Sequence, residues 1–198
     1  MKTNPIKKQE LTSSGAVKIG HLSAFTDNYI WFIHNSTDFI VIDPGESSAV
    51  LDYIITNKLR LKAIVLTHDH KDHMGGVSDL LAYANVPVYA MGGLASIELH
   101  GGEEVVLSDF AKARTLVTPG HTYTSICYML SLLGKKHLFC GDTLFAAGCG
   151  RVFTGDFVAM YESLTQLGNL DPDYLVYPGH EYTLKNLEFA KFIQPNEF

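Results

Sequence analysis

The 198-residue sequence predicts a four-layer α/β/β/α sandwich, two packed sheets with helices on the outside. Strand-like segments come first, mixed strands and helices follow, and the same order returns in the second half, as two sheets each covered on one face require. Hairpin-like neighbours, such as residues 126–132 and 137–140 around Gly134-Lys135, count against the alternative of a doubly wound parallel sheet, whose neighbouring strands need long crossovers. The length suits one domain with a substantial core. A content of 46% hydrophobic and 18% charged residues is that of an ordinary globular protein.

The elements follow in order. Residues 1–16 are polar, with Lys2, Lys7 and Lys8 and no apolar stretch, and are expected to be a flexible leader rather than a secretory signal; 17–198 are expected to form the domain. Residues 17–24, 29–34 and 39–42 read as consecutive strands, with a turn at 35–38 and Asp43-Pro44-Gly45 closing the third. Within 47–58, Val50, Leu51, Ile54 and Ile55 recur at helical spacing. A buried strand at 62–66 leads into the polar run described below, then a helix carrying Val77, Leu80 and Leu81, then a short strand at 87–90. Gly92-Gly93 and Gly101-Gly102 bracket a stretch with no clear period. Strands resume at 105–107 and 115–118, followed by the 126–132/137–140 pair, a helix at 157–167, a strand at 174–177 and a closing helix at 184–192.

Composition narrows the function. The net charge is −6 and the basic residues are scattered, which argues against a nucleic-acid surface. No apolar run approaches a membrane span of roughly 20 residues. Cys127, Cys140 and Cys149 form no CxxC pair and are odd in number, so they read as reduced thiols of a cytoplasmic protein, each a small buried hydrophobe. Oligomeric state is not encoded in any recognisable motif.

The chemistry lies in the run Thr67-His68-Asp69-His70-Lys71-Asp72-His73, behind the apolar Ala63-Ile64-Val65-Leu66 and ahead of Gly75-Gly76. Taken alone it could be a solvated loop. Three further segments repeat one design, a strand, then glycine, then a metal-competent side chain: Pro119-Gly120-His121, Cys140-Gly141-Asp142 and Pro178-Gly179-His180. Glycine lets the backbone turn sharply and aims the next side chain off the sheet edge. His68, His70, Asp72, His73, His121, Asp142 and His180 make seven candidate ligands, too many for one tetrahedral ion with an open position. They suit two divalent ions, zinc first and iron or manganese as alternatives, with Asp142 bridging through its two oxygens.

These residues carry a resemblance. His68, His70, Asp72 and His73 meet the HxHxDH motif of the metallo-β-lactamase superfamily in full. Phe25-Thr26-Asp27-Asn28-Tyr29-Ile30-Trp31, Cys140-Gly141-Asp142-Thr143-Leu144-Phe145 with Gly148-Cys149-Gly150-Arg151, and Gly179-His180-Glu181-Tyr182-Thr183-Leu184 followed by Asn186-Leu187 and Phe189-Ala190 resemble segments of its glyoxalase II (hydroxyacylglutathione hydrolase) family. The likeness runs from Val17 to Pro195 and implies a sandwich of metallo-β-lactamase type. It also implies that His68, His70 and His121 take one ion, that Asp72, His73 and His180 take the other, and that Asp142 bridges. The family's glutathione contacts fall on Arg151, Val152, Phe153, His180, Glu181 and Tyr182. Phe153 stands where relatives often have tyrosine, Thr154-Gly155-Asp156 replaces an acidic-glycine-threonine stretch, and Tyr123-Thr124-Ser125 replaces a glycine and histidine. The family's C-terminal helical domain is expected to be missing after Phe198.

The implied reaction is hydrolysis of a small-molecule thioester, an acyl-glutathione such as S-lactoylglutathione, by a metal-bridging hydroxide, yielding D-lactate and glutathione. A thiolate leaves readily because its acid has a pKa of about 8.5. No GxSxG is present, and His121 serves better as a ligand than as the base of a cysteine nucleophile. The rival readings are a mononuclear-iron persulfide dioxygenase, a lactonase or β-lactamase, and a non-catalytic metal-binding domain.

Overall fold

A computed structural model of the chain describes residues 12–14 and 17–195. The first sheet has seven strands in chain order: β1 (Thr12–Ser14), β2 (Val17–Ala24), β3 (Asn28–His34), β4 (Asp38–Ile42), β5 (Arg60–Val65), β6 (Val88–Ala90) and β7 (Ile97–Glu98). Neighbours are antiparallel up to β4 and parallel from β4 onward. The helices α1 (Ser48–Asn57), α2 (Lys71–Met74) and α3 (Val77–Tyr83) lie in its parallel connections. The second sheet contains β8 (Glu104–Ser108), β9 (Ala111–Val117), β10 (Ile126–Leu132), β11 (Lys135–Gly141) and β14 (Tyr174–Pro178), in the order β14-β11-β10-β9-β8. A small hairpin of β12 (Leu144–Phe145) and β13 (Gly148–Cys149), then α4 (Phe157–Gly168), separate β11 from its parallel neighbour β14. The chain continues into α5 (Thr183–Ile193).

Three apolar clusters show the four layers. Period-two alternation sends Ile19, Trp31, Ile33, Ile40, Ile42 and Val65 of the first sheet against Val105, Ala113, Ile126, Tyr128, Leu130 and Phe139 of the second. The other face of the first sheet, with Ile30, Phe32, Val41 and Ile64, packs on Val50 and Ile54 of α1 and Val77 and Leu80 of α3. Cys127, Leu138 and Cys140 on the outer face of the second sheet pack on Leu167 of α4. Each large apolar side chain so buried contributes about 1.5–3 kcal/mol. The expected α/β/β/α sandwich is the observed fold.

The structure departs from the sequence reading in detail. The expected leader is described only at Thr12–Ser14, which pairs with β2; residues 1–11 and 15–16 lie outside the described residues. The strand expected at 115–118 begins earlier, at Ala111. Its inward positions are Ala111, Ala113 and Thr115 and its outward ones Lys112 and Arg114, a pattern too weakly apolar to read as buried. α2, β7, β12 and β13 are each four residues or fewer and were not expected. The closing helix α5 buries no side chain and exposes Leu184, Phe189, Phe192 and Ile193. Among the described residues, no helix is long and apolar enough to cross a membrane.

Candidate metal centre

β9, β11 and β14 run the same way in the second sheet, and their C-terminal ends deliver His121, Asp142 and His180. β5 of the first sheet delivers His68 and His70, and the short α2 that follows carries Asp72 and His73. The two sheets are tied at this end: Ile126 N–H donates to the Thr67 carbonyl (2.8 Å) and Tyr128 Oη–H to the Leu66 carbonyl (2.7 Å). The site therefore lies outside the carboxyl ends of strands, where open α/β sheets place their ligands.

The seven residues converge in two groups. Donor atoms of His68, His70 and His121 lie within 4.8 Å of one another, as do those of Asp72, His73 and His180. Asp142 sits between the groups, with Oδ1 3.5 Å from His73 Nε2 and Oδ2 3.5 Å from His121 Nε2 and 3.3 Å from His180 Nε2. Ring nitrogens face each other directly, His121 Nε2 to His70 Nδ1 at 3.1 Å and His73 Nε2 to His180 Nε2 at 3.3 Å. His68 Nε2 and Asp142 Oδ1 are buried without a hydrogen-bond partner, which is costly for a polar atom unless something else meets it. The donor set therefore fits two divalent cations. Asp69 and Lys71 between the ligands are exposed; Asp69 accepts from the Thr124 hydroxyl at 3.0 Å, and Lys71 lines the cavity beside the centre.

Four imidazoles have their second nitrogen engaged. His121 Nδ1 donates to the Arg151 carbonyl (2.8 Å), His180 Nδ1 to Asp27 Oδ1 (2.9 Å) and His73 Nδ1 to Asp43 Oδ2 (3.1 Å). Thr67 spends its hydroxyl proton on Asp43 (2.6 Å), so its oxygen accepts from His68 Nδ1 (3.0 Å). Each Nε2 is thereby turned toward the centre, an arrangement typical of metal-bound histidine. Asp43, expected only as a strand terminator, is 2% exposed and braces two of the seven.

Electrostatics agree with the donor set. Burial pushes His68 well below its ordinary pKa and lowers His121, leaving neutral imidazoles. Burial opposes ionisation of Asp142, but His180, His73 and His121 hold its carboxyl below the usual range. Burial likewise opposes charge on His180, yet Asp142 and Asp27 outweigh it and raise His180 to about 9. His73 is raised against its burial by Asp43, Asp142 and Asp72. Protons on His73 and His180 thus balance carboxylates that a metal cation would balance instead.

Beside this centre is a 490 Å³ cavity lined by Arg151, Phe153 and Tyr182 together with the candidate ligands His70, Asp72, His121, Asp142 and His180. Arg151 lies over the Phe153 ring (5.1 Å), and Tyr182 stacks on His180 (4.9 Å, 10°). Val152 and Glu181 are not brought to this wall. Glu181 turns to the Tyr29 hydroxyl and the Thr183 amide. Lys71, Phe145, Cys149 and Gly150 complete the lining; Phe145 stood within the Cys140–Phe145 segment that carries the resemblance, with no role assigned to it. Cys149 corrects the expectation of three buried thiols: it is exposed on the hairpin strand β13, whereas Cys127 and Cys140 are buried.

The fold and this histidine–aspartate cluster define a metallohydrolase-like protein of the metallo-beta-lactamase superfamily, whose family model matches residues 25–180. More narrowly, the chain belongs to the hydroxyacylglutathione hydrolase family. It is 46% identical over 179 residues to the hydroxyacylglutathione hydrolase of Hahella chejuensis, covering 88% of this chain and 69% of that protein. Among solved structures it is similar to ETHE1 from Myxococcus xanthus (TM-score 0.73, 30% identity, 83% of this chain and 76% of that one). It is also similar to TTHA1623 in a di-iron-bound form (TM-score 0.67, 26% identity, 81% and 90%).

Proposed function

We propose that this chain is a dinuclear-metal thioester hydrolase acting on acyl-glutathione, most specifically S-lactoylglutathione. The observation that carries the reading is the pair of complete donor groups joined by one buried carboxylate, in a chain 46% identical to a hydroxyacylglutathione hydrolase. His68, His70 and His121 would hold one ion, Asp72, His73 and His180 the other, with Asp142 shared. Two ions are also what the di-iron-bound relative contains. Zinc, iron and manganese all suit imidazole and carboxylate together. When bound, the ions would polarise the thioester carbonyl and ionise water near neutral pH.

The protein's own residues supply positioning. The Arg151 guanidinium, kept at the cavity mouth by Phe153, can fork onto a glycyl or glutamyl carboxylate of the thiol carrier. Phe153 and Tyr182 form an aromatic wall that limits water around the carrier. The leaving thiolate needs no strong acid beside it, and the cavity wall offers no carboxyl or imidazole outside the candidate ligands. A cytoplasmic location is part of this proposal, and the three free cysteines among the described residues are in keeping with it.

A mononuclear persulfide dioxygenase would need only one ligand group, whereas both are complete here. Metal analysis combined with a thioester panel tests the proposal. Two metal equivalents and turnover of acyl-glutathione over other acyl-thiols are expected. One iron equivalent with oxygen consumption, or no turnover of any acyl-glutathione, would overturn it.

A further inference from the structure

We infer that Asp27 and Asn28 are positioning residues for the second ion alone, holding its ligands His180 and Asp72 in register across the two sheets; the inference rests on the two-ion reading above. Asp27 ends the turn between β2 and β3, and Asn28 opens β3, both in the first sheet. His180 follows β14 in the second sheet, and Asp72 lies on α2, so the second group has no common element to fix it. The Asp27–Asn28 pair supplies that element. Asp27 Oδ1 accepts from His180 Nδ1 at 2.9 Å. Asn28 Nδ2 donates to Asp72 Oδ2 at 2.9 Å and to the Asp72 carbonyl at 3.3 Å.

Backbone bonds hold the pair itself in place. Tyr29 N–H donates to the Gly179 carbonyl (2.8 Å) and Glu181 N–H to the Asp27 carbonyl (2.9 Å), forming a bridge of Asn28 with His180. Trp31 Nε1 adds a bond to the Pro178 carbonyl (2.7 Å), and the Tyr29 hydroxyl bonds Glu181. The chain path at this seam is therefore set by main chain and aromatics. The side chains of Asp27 and Asn28 are left to act on the ligands. Neither is hydrogen-bonded to His68, His70 or His121; His68 is braced by Thr67 and His121 by the Arg151 carbonyl. The chemistry follows: a carboxylate on Nδ1–H fixes the ring and raises the basicity of Nε2, and the Asn28 amide holds in place the Asp72 oxygen that faces the group, Oδ2, 3.6 Å from His73 Nε2 and 3.5 Å from His180 Nε2.

The test is stepwise cobalt or zinc binding to the full chain, read by competition with a chromophoric chelator and by the cobalt visible spectrum. Asp27→Ala and Asn28→Ala are each expected to weaken the second equivalent by about 10–100-fold, the usual effect of losing a partner of a metal ligand, while the first is unchanged. Asp27→Asn, which keeps an acceptor but no charge, should recover part of the loss. The melting temperature of the metal-free variants should match wild type. Equal weakening of both equivalents, or wild-type binding of both, overturns the inference while leaving the two-ion reading intact. A wild-type chain that binds fewer than two equivalents overturns both. Should Asp27→Ala not fold, Asp27→Asn and Asn28→Ala decide by the same criterion.

Discussion

Each imidazole has two nitrogens, and in this site the chain gives them separate tasks. Asp43, Thr67, Asp27 and the Arg151 carbonyl take Nδ1 of His73, His68, His180 and His121, so Nε2 faces the centre in all four. That selection is made one residue at a time, and it explains why a histidine-rich run becomes a defined cluster rather than a polar loop. Arg151 acts at the same scale. Its guanidinium is exposed and carries no structural ion pair among the described residues, so its removal should not unfold the protein. Arg151→Ala is expected to raise KM for an acyl-glutathione about tenfold, close to the value of one charge-assisted bond, with kcat little changed. An acyl thioester lacking carboxylates should show no difference, and steady-state kinetics on the two substrates checks this.

At the scale of elements, the strand-end glycines turn out to differ in purpose. Gly141 has φ of +50°, so freedom from a β-carbon sets the turn that aims Asp142. Gly179 has ordinary backbone angles, but an added Cβ would lie 2.3 Å from Asp142 Oδ1 and 2.7 Å from His73 Cε1. Gly179→Ala should therefore displace the shared carboxylate at a cost of about 1–3 kcal/mol, giving a folded protein with reduced metal content by elemental analysis. A second element-level device lies away from the site. Partial burial opposes charge on Glu103, but the His100 amide and Thr115 hydroxyl hold its carboxyl at about 2, latching the Gly101-Gly102 loop to β9. A depressed carboxyl stabilises the fold above its ordinary value of 4.5 and loses that contribution as pH falls toward about 2. The melting-temperature difference between wild type and Glu103→Gln should shrink steadily between pH 5 and pH 3.

At the scale of the whole molecule, the seven candidate ligands come from both sheets, so the site forms only when the sheets pack. Ions bound to it would bind the native state and not the unfolded chain. At a thousandfold excess over Kd they should add about 4 kcal/mol, a rise in Tm of roughly 10 °C for a chain of this size. Calorimetry before and after chelation measures the difference; no change on chelation would mean the cluster binds no ion at that concentration. The architecture itself was readable in the chain, since short apolar runs bounded by turn residues in 17–42 and 126–140 and helical spacing in α1 are strong local signals. α2 and the hairpin β12-β13 were not readable, because elements that short carry no period. The weak face of β9, alternating alanine with lysine and arginine, hid its first half.

What the sequence determined by itself is chemical identity: seven imidazoles and carboxylates placed at strand ends, and the order of strands and helices that makes two sheets. Those follow from residue type and spacing, which are local. The tertiary structure alone decided which nitrogen of each histidine faces the centre, that Asp43 and Asp27 brace the cluster, that Glu181 turns away from the cavity, and that Cys149 is exposed. The physical reason is sequence distance. Asp43 meets His73 30 residues away and Asp27 meets His180 153 residues away, and pairings at such separation leave no periodic trace in the chain.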